Sequence, residues 1–380
     1  MPTVQSFAGG AVALVCLACS AGFAGESGAS RDRDVTRVRL LPPGKGNPRN
    51  SEGDFILLKD GRILFVYTHF TGGGGDHAKA HLASRESADG GGTWTQEDVV
   101  VIPNEGTWNI MSVSLLRLRS GRIALFYLLK NSLHDCRPVM RTSTDEARTW
   151  SLPVQVIGDT FPGYYVLNND RVVQLRSGRL VVPVSRHSMP GQKWSGRGVQ
   201  VCFLSDDDGA TWRRSRTELA GKTANSHVTL QEPGVVELKD GRLMMFMRTT
   251  AGCQYVSFSR DAGETWSPAQ PSNIVSPCSP ASIERIPVTG DLLLVWNDHA
   301  KVDAAHRGKR TPFNAAISRD EGKTWENVKT LEDDPEGWYC YTAIEFAGPR
   351  VLLGHCAGQR ATGGLNLTQI TLFPVAWLYR

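Results

Sequence analysis

A short motif recurs five times along this 380-residue chain and constrains what the chain can fold into. Its pattern is Ser-x-Asp-x-Gly-x-Thr-Trp, and in one copy alanine replaces the glycine. Successive copies are 54 to 62 residues apart, a period that is typical of a propeller blade or a solenoid unit. The copies begin at Ser87, Ser143, Ser205, Ser259 and Ser318.

The residue types of the motif explain how each copy folds locally. Ser and Asp side chains bond nearby backbone amides, and glycine permits a positive φ inside the turn. The tryptophan then supplies local apolar burial. The motif resembles the Asp box of sialidases and other Asp-box propellers, and we expect it to be structural, with no catalytic role.

A second repeat consists of a glycine turn between two apolar segments, which is typical of a hairpin of buried strands. No stretch of 12 or more residues has convincing helical periodicity. Six turns and five boxes predict an all-β, six-bladed β-propeller with Asp-box hairpins, whose last blade lacks a box. The segment 365–379 is expected to close the ring beside the first blade. A pair of β-sandwiches is the alternative, but it does not need six equal units. The turns begin 49 to 63 residues apart, at Gly61, Gly121, Gly178, Gly241, Gly290 and Gly348.

The N-terminal residues have the composition of a secretory signal. The apolar run 11–24 is too short to cross a membrane with ease, and small residues precede Gly25. We expect a signal peptide at 1–24, a flexible lead-in at 25–35 and the propeller at 36–380. The expected location is secreted or periplasmic, without stable membrane insertion, and a lipoprotein anchor at Cys19 is a weaker alternative.

The charge balance and the cysteines exclude some functions. The chain has 42 basic and 38 acidic residues, a near-neutral balance that does not suggest a nucleic-acid partner. The six cysteines beyond the leader include no CxxC pair, so no metal or other cofactor is expected. An oxidising compartment permits disulfides, and the sequence leaves the oligomeric state open.

The mouth of the central channel is the usual site of a propeller. The strand before each glycine turn should be the innermost strand of its blade, and the position nine residues before the glycine should lie near one rim. These positions form a polar, mixed ring that a purely structural channel does not need. They hold Glu52, Ser112, Asn169, Glu232, Ala281 and Tyr339.

Three segments in blades four to six resemble the sialidase active site. In EPGVVELKDGRLMMFMRT, Glu232 lies nine residues before the turn glycine and Arg248 seven after it, as in sialidases. Arg310 precedes the last part of blade five and its Asp box. The segment YCYTAIEF resembles the one that carries the sialidase tyrosine nucleophile, which would be Tyr341, with Tyr339 as its rival.

The first blade matches less closely. Arg49 would be the first of three arginines and Asp76 the acid, with Asp54 as a rival. Sialidases place that arginine about ten residues before the first turn glycine, whereas Arg49 lies twelve before it. Glu52, together with His77 and Asn169, would then alter the rim around the substrate.

The resemblance implies a specific chemistry. Three arginines bind the carboxylate of the sugar, and a tyrosine, activated by the glutamate, attacks the anomeric carbon beside that carboxylate. The aspartate acts as general acid and then as base. The implied function is an exo-glycosidase that hydrolyses terminal sialic acid or a related acidic sugar from glycoconjugates. The alternatives are an enzyme that hydrolyses or eliminates another acidic sugar, and a non-catalytic carbohydrate-binding propeller.

Overall fold

The structure, a computed structural model, describes residues 34–221 and 228–380. The expected signal peptide and most of the lead-in lie outside these residues. The first nine strands are β1 (Thr36–Leu41), β2 (Arg49–Leu57), β3 (Ile63–Phe70), β4 (Ala80–Ser87), β5 (Val99–Ile102), β6 (Asn109–Arg117), β7 (Ile123–Ser132), β8 (Asp135–Ser143) and β9 (Val154–Gln155). The next ten are β10 (Tyr164–Val166), β11 (Val173–Gln174), β12 (Leu180–Ser188), β13 (Val199–Ser205), β14 (Arg213–Arg214), β15 (Leu219–Ala220), β16 (Leu230–Glu237), β17 (Leu243–Thr249), β18 (Cys253–Ser259) and β19 (Gln270–Val275). The last seven are β20 (Ser282–Arg285), β21 (Leu292–Trp296), β22 (Phe313–Ser318), β23 (Glu326–Glu332), β24 (Gly337–Ala347), β25 (Arg350–Gln359) and β26 (Thr368–Pro374).

The described residues also contain two short 3-10 helices, Arg360–Thr362 and Val375–Tyr379. Neither is long and apolar enough to cross a membrane.

The strands form the six blades of a β-propeller, as the turns and boxes predicted. The blades are β2–β5, β6–β9, β10–β15, β16–β19, β20–β23, and β24–β26 with β1. Blades two and three share one sheet because β10 pairs in parallel with β8. The first strands of blades four, five, six, one and two contact one another in that order, which places them innermost. All six turn glycines adopt the positive φ that favours this residue, between 60° and 97°.

The sixth blade closes the ring. The final strand β26 pairs with β25 inside blade six and lies beside the first blade, where Ile370 packs with Phe55 and the Thr368 hydroxyl donates to the Asn50 carbonyl at 2.9 Å. The N-terminal strand β1 then pairs with β26, with Thr36 opposite Leu372, and forms the outer edge of the blade. Without β1 the last blade would have three strands, and β1 completes it as the fourth. The two ends of the propeller are therefore joined by one antiparallel pair.

Each Asp box lies between the third and fourth strands of its blade and is closed by its own side chains. In the copy at Ser259, the serine hydroxyl donates to Asp261 at 2.9 Å and accepts from the Gly263 amide at 2.9 Å. The Asp261 carboxylate accepts from the Thr265 amide at 2.8 Å, and the Trp266 indole donates to the Gly263 carbonyl at 3.1 Å. The turn is thus determined by residues close in sequence, as the motif predicted.

The copy at Ser143 retains the serine and aspartate bonds although alanine replaces the glycine. Ala147 has a φ of 65°, and its amide donates to the Ser143 hydroxyl at 2.9 Å. A left-handed conformation costs a non-glycine residue roughly 1–2 kcal/mol. The Asp145 carboxylate, bonded to the Thr149 amide at 2.9 Å, helps to offset that cost.

We expect the substitution Trp266→Ala to destabilise the propeller by about 3–5 kcal/mol. Trp266 is buried between blades three and four, where it packs in one apolar cluster with Leu204 and Leu243. Chemical denaturation monitored by circular dichroism would measure the loss, and the folded fraction should keep its specific activity. The control is Trp194→Ala, since Trp194 is 45% exposed and should cost about 1 kcal/mol or less. Equal losses for both variants would contradict the role assigned to the box.

Candidate active site

The innermost strands of five blades share a backbone irregularity at one level of the channel. At this level one non-glycine residue adopts a left-handed conformation, with φ between 53° and 60°. In four of the blades the strand register shifts at the same point, which identifies a β-bulge. Such a conformation costs on the order of 1–3 kcal/mol and tends to occur at functional sites. The five residues are Glu52, Ser112, Asp170, Glu232 and Tyr341.

Two of these bulge residues meet across the channel. The Tyr341 hydroxyl, from blade six, donates to Oε1 of Glu232, from blade four, over 3.0 Å. This is the contact that the sequence led us to expect. Burial raises the pKa of Tyr341, and the Glu232 charge raises it further, while Arg310 and Arg248 act in the opposite direction. At neutral pH the hydroxyl therefore holds its proton and presents it to a carboxylate.

Two arginines flank the pair. Arg248 Nη1 lies 2.9 Å from Glu232 Oε1, and its Nη2 donates to the side chain of Gln231. Arg310 places its guanidinium over the Tyr341 ring, 5.3 Å from the centroid, and donates to Cys340 Sγ at 3.0 Å. No carboxylate among the described residues lies within the 4.0 Å of an ion pair from Arg310. Arg310 thus carries a partly buried charge that lacks an anionic partner.

Arg49 has a different environment from the one that the resemblance implied. It is 2% exposed and donates to Ser51 at 2.8 Å, to Glu52 at 2.7 Å and to the Gly74 carbonyl at 3.2 Å. It also donates to Asp76 Oδ1 at 2.6 Å. Four of its five N–H groups are therefore engaged within blade one. The geometry indicates a residue that holds Glu52 and Asp76 rather than a free ligand for a substrate carboxylate.

The two rival aspartates lie in different places. Asp76 is on the loop between β3 and β4, with its side chain 59% exposed. Partial burial of its carboxyl favours the neutral form, but the charge of Arg49 outweighs this and lowers the pKa of Asp76. Asp54 is fully buried and accepts hydrogen bonds from the Phe55 and Leu115 amides, each at 2.7 Å. Asp54 thus joins blades one and two, and Asp76 is the carboxyl at the mouth.

These contacts bring seven of the ten sequence-derived site residues into a network of two groups. Tyr341, Glu232 and Arg248 form one group, with Arg310 against the tyrosine ring. Arg49 holds Asp76, together with Glu52, in the second group.

Comparison with known proteins identifies the family of this chain. Residues 69–349 match the family model described as a BNR repeat-like domain, and this match covers most of the chain. The chain belongs to that family, within the sialidase superfamily. The sialidase of Micromonospora viridifaciens is 27% identical over 361 residues, which cover 80% of this chain and 52% of that protein. This superfamily member therefore spans about half the length of that relative.

Two solved structures share the fold. A protein of unknown function from Dyadobacter fermentans has a TM-score of 0.69 at 19% identity, covering 90% of this chain and 100% of that chain. The Hadza microbial sialidase Hz136 also has a TM-score of 0.69, at 16% identity, covering 87% of this chain and 66% of that chain. At these identities the structural matches establish the shared propeller alone.

The remaining sequence-derived residues of this sialidase-superfamily member lie around the network. His77 is exposed beside Asp76 and packs against Trp108, with ring centroids 4.4 Å apart. Asn169 is 1% exposed and donates to the backbone carbonyls of Gly53 and Tyr341, each at 3.0 Å. It thereby ties blade three to blades one and six, directly beneath the tyrosine.

Tyr339, the rival of Tyr341, faces away from the channel. Its ring lies 6.0 Å from Phe313 and 6.3 Å from His355, inside the apolar layer between blades five and six. Two facts explain why the sequence did not distinguish Tyr339 from Tyr341. The last turn is shorter, and the bulge of blade six falls at Tyr341, between the register pairs Cys340–Cys356 and Ala343–Gly354. The assignment of Tyr339 to substrate binding is therefore not supported by its position.

Three polar residues of the site were missed by the sequence analysis. Gln231 bonds Arg248 and the Gly196 carbonyl, and its place beside Glu232 could have singled it out. Lys130 and Asn109 are buried in blade two, next to the Asp76 loop. Lys130 ends the apolar run IALFYLLK, at a strand position that is expected to face the core. A lysine at such a position could have been recognised from the sequence as a candidate functional residue. Among the described residues no group of His, Cys, Asp or Glu is arranged to hold a metal ion.

A cavity of about 640 Å³ in the channel is lined by carboxyl groups around Arg171. The rival aspartate Asp54 is one of them, and none of the ten site residues lines this cavity. Asp170 lies there with Glu345, and burial raises the pKa of Asp170 to about 6 and that of Glu345 to about 7. Burial in the channel thus outweighs the Ile344 amide, which donates to Asp170 at 3.0 Å and acts to lower the pKa of Asp170.

The raised pKa of Glu345 predicts how stability depends on pH. The folded state keeps this proton up to about pH 7, whereas an unfolded glutamate releases it near pH 4.3. The stability that this group contributes is therefore complete below the unfolded pKa and is lost as the pH rises through 7. Glutamine stays neutral at every pH. We therefore expect the melting temperature of Glu345→Gln, measured relative to that of the wild type, to be higher at pH 7.5 than at pH 5.

Thermal unfolding at the two pH values measures this difference. The matched control is Glu97→Gln, since Glu97 is exposed. The difference in melting temperature between this variant and the wild type should be the same at both pH values. A Glu345→Gln offset that is constant, or that is larger at pH 5, would show that Glu345 does not hold its proton in the folded state.

Proposed function

We propose that this chain is an exported exo-glycosidase of sialidase type, which hydrolyses terminal sialic acid or a related 2-keto acid sugar from glycoconjugates. The observation that carries the proposal is the 3.0 Å hydrogen bond between Tyr341 and Glu232, with Arg248 and Arg310 on either side. A carboxylate nucleophile would be repelled by the acidic sugar, whereas a neutral tyrosine hydroxyl is not. This pairing of a tyrosine with a base and two cations therefore fits a substrate that carries its own negative charge.

Binding begins with the arginines. Arg310 lacks an anionic partner and Arg248 shares only one carboxylate, so both can donate charge-assisted hydrogen bonds to the substrate carboxylate. This contact places the anomeric carbon above the Tyr341 hydroxyl. The name of the Micromonospora relative, a sialidase, supports the assignment of the acidic sugar.

The reaction then proceeds in two displacements. In the first, Glu232 accepts the Tyr341 proton while the tyrosine oxygen bonds to the anomeric carbon and the glycosidic C–O bond breaks. Asp76 donates a proton to the departing oxygen in the fraction of the protein in which its carboxyl is protonated, and the lowered pKa of Asp76 makes this fraction larger at acidic pH. In the second, Asp76 takes a proton from water, the water oxygen bonds to the anomeric carbon, and the tyrosine oxygen leaves and regains its proton from Glu232.

A second candidate is a related enzyme that acts on another acidic sugar, and the contacts of Arg49 favour it. With Arg49 engaged by Glu52 and Asp76, two arginines rather than three would hold the carboxylate. A carbohydrate-binding propeller without activity is disfavoured, because such a protein has no use for a base hydrogen-bonded to a tyrosine.

A panel of aryl glycosides tests the proposal. The purified protein would be assayed on α-ketosides of sialic acid and of a 3-deoxy-octulosonic acid, with an aryl glucuronide and an aryl galactoside as controls. We expect release from at least one ketoside and none from the controls. A folded protein that binds acidic sugars and releases no aglycone would support the non-catalytic alternative instead. The intact mass of the exported protein would also show whether residues 1–24 are removed.

A further inference from the structure

The loop that carries Asp76 is held from the neighbouring blade mainly through its backbone carbonyls. The loop connects β3 to β4, and its ends are joined by the Thr71 amide, which donates to the Lys79 carbonyl at 2.8 Å. At its tip, the carbonyl oxygen of Asp76 accepts from Lys130 Nζ at 2.8 Å and from Asn109 Nδ2 at 3.0 Å. Asn109 also holds the Ala78 carbonyl, at 2.7 Å. Two side chains of blade two thus fix the residue that blade one presents to the mouth.

Lys130 is an unusual anchor. It is 2% exposed, and its other contacts are the Met111 sulfur at 3.4 Å and the face of Tyr164, 5.5 Å from the ring centroid. No carboxylate of the described part of the chain lies within 4.0 Å of its ammonium. Taking an ammonium out of water without a paired carboxylate is costly. A neutral donor such as Asn109 could hold a carbonyl without this cost, so the charge requires another explanation.

We propose that Lys130, together with Asn109, positions the Asp76 carboxyl for proton transfer to the leaving group. The inference rests on the proposed function and adds two positioning residues to it. Lys130 and Asn109 contact the Asp76 backbone rather than its carboxyl. They therefore act through Asp76, by fixing where the carboxyl can reach and by setting the charge around it.

The charged groups that face Asp76 determine the sign of the effect. Arg49 and Glu52 approach from β2, Lys130 approaches from β7, and His77 follows in the same loop. Burial of the Asp76 carboxyl opposes ionisation, and the cations Arg49 and Lys130 lower its pKa. Removing the Lys130 charge should therefore raise the pKa of Asp76. The basic limb of the pH profile of kcat/KM, where the acid loses its proton, should then move to higher pH.

The leaving group makes the test selective. A general acid contributes about 10²- to 10⁴-fold when the leaving oxygen is a sugar hydroxyl, and little when it is a phenol that departs unaided. The wild type and Lys130→Met would be assayed on a sialyl-oligosaccharide and on an aryl ketoside of the same acid. We expect Lys130→Met to lose at least about 10-fold in kcat/KM on the oligosaccharide, and within about 3-fold on the aryl ketoside. The basic limb of the pH profile of kcat/KM for Lys130→Met should shift to higher pH.

Three further variants separate the parts of the proposal. Lys130→Arg keeps the charge and should leave the basic limb in place. Asn109→Ala removes a neutral anchor and should show the same leaving-group selectivity without a shift of the limb; it also replaces Lys130→Met if that variant does not fold. The control Lys79→Met alters an exposed lysine of the same loop, which donates to the Thr107 carbonyl at 2.6 Å, and should match the wild type.

Equal losses on both substrates, or an unchanged pH profile in Lys130→Met, would reduce Lys130 to a structural residue and overturn the inference. That result differs from failure of the proposed function, in which the wild type itself releases no aglycone from either substrate.

Discussion

Replacing Tyr341 by phenylalanine is expected to lower kcat by on the order of 10³-fold or more. The change removes only the oxygen that would attack the anomeric carbon, and the ring remains beneath the Arg310 guanidinium. The left-handed backbone of Tyr341 is the same for both residues, so the bulge should be kept. Substrate binding should therefore change little, because the carboxylate contacts of Arg248 and Arg310 do not involve the hydroxyl. Steady-state kinetics on an aryl ketoside, together with a dissociation constant for the free acidic sugar, would separate the two effects.

Tyr339→Phe is the matched control for this experiment. It removes the same atom two residues away, from a ring that packs between Phe313 and His355. Its kcat should stay within about 2-fold of the wild type, as for a substitution away from the reacting atoms. An active Tyr341→Phe enzyme would refute the tyrosine mechanism, and an inactive Tyr339→Phe enzyme would indicate that activity depends on packing in blade six.

The second large effect is expected for Arg310→Met. The guanidinium has no carboxylate partner among the described residues and lies between the faces of Tyr341 and Trp338. Loss of a charge-assisted contact to a partly buried substrate carboxylate should cost about 2–4 kcal/mol, or about 30- to 1,000-fold in kcat/KM. The melting temperature of the protein should not fall, because the variant removes a charge that the fold leaves unpaired.

Arg307→Met provides the comparison for Arg310→Met. Arg307 belongs to the same basic segment but is exposed, so both its activity and its stability should equal those of the wild type. If Arg310→Met unfolds at a lower temperature and keeps its kcat/KM, the arginine is a structural element of blade five. The proposed carboxylate site would then be reduced to Arg248.

The repeat structure could be predicted from the sequence because its determinants are local. The Asp box is closed within eight residues, as the Ser259 copy shows, and each glycine turn needs one positive φ. The sequence did not predict the outer strand of blade six, because it depends on a pairing between Thr36 and Leu372, at opposite ends of the propeller. No local pattern indicates that this strand comes from the N-terminal end of the described residues.

The site was predictable where its residues keep a fixed offset from a turn. Glu232 and Arg248 have such offsets, and they are in contact. The counting failed in blade six, where the bulge and a shorter turn moved the channel position from Tyr339 to Tyr341. The partners of Arg49 and the part played by Lys130 depend on which side chains converge from blades one and two. Sequence spacing does not carry that information.

The recurring bulge has a consequence for how such a protein can change over evolution. The same backbone geometry is occupied by glutamate in blades one and four, serine in blade two, aspartate in blade three and tyrosine in blade six. The bulge thus forms in this chain with very different side chains, so its backbone geometry does not require one residue type. A single substitution at one of them could exchange an acid, a base or a nucleophile while the blades stay in place. Substrate and reaction type can therefore diverge between related propellers much faster than their architecture does.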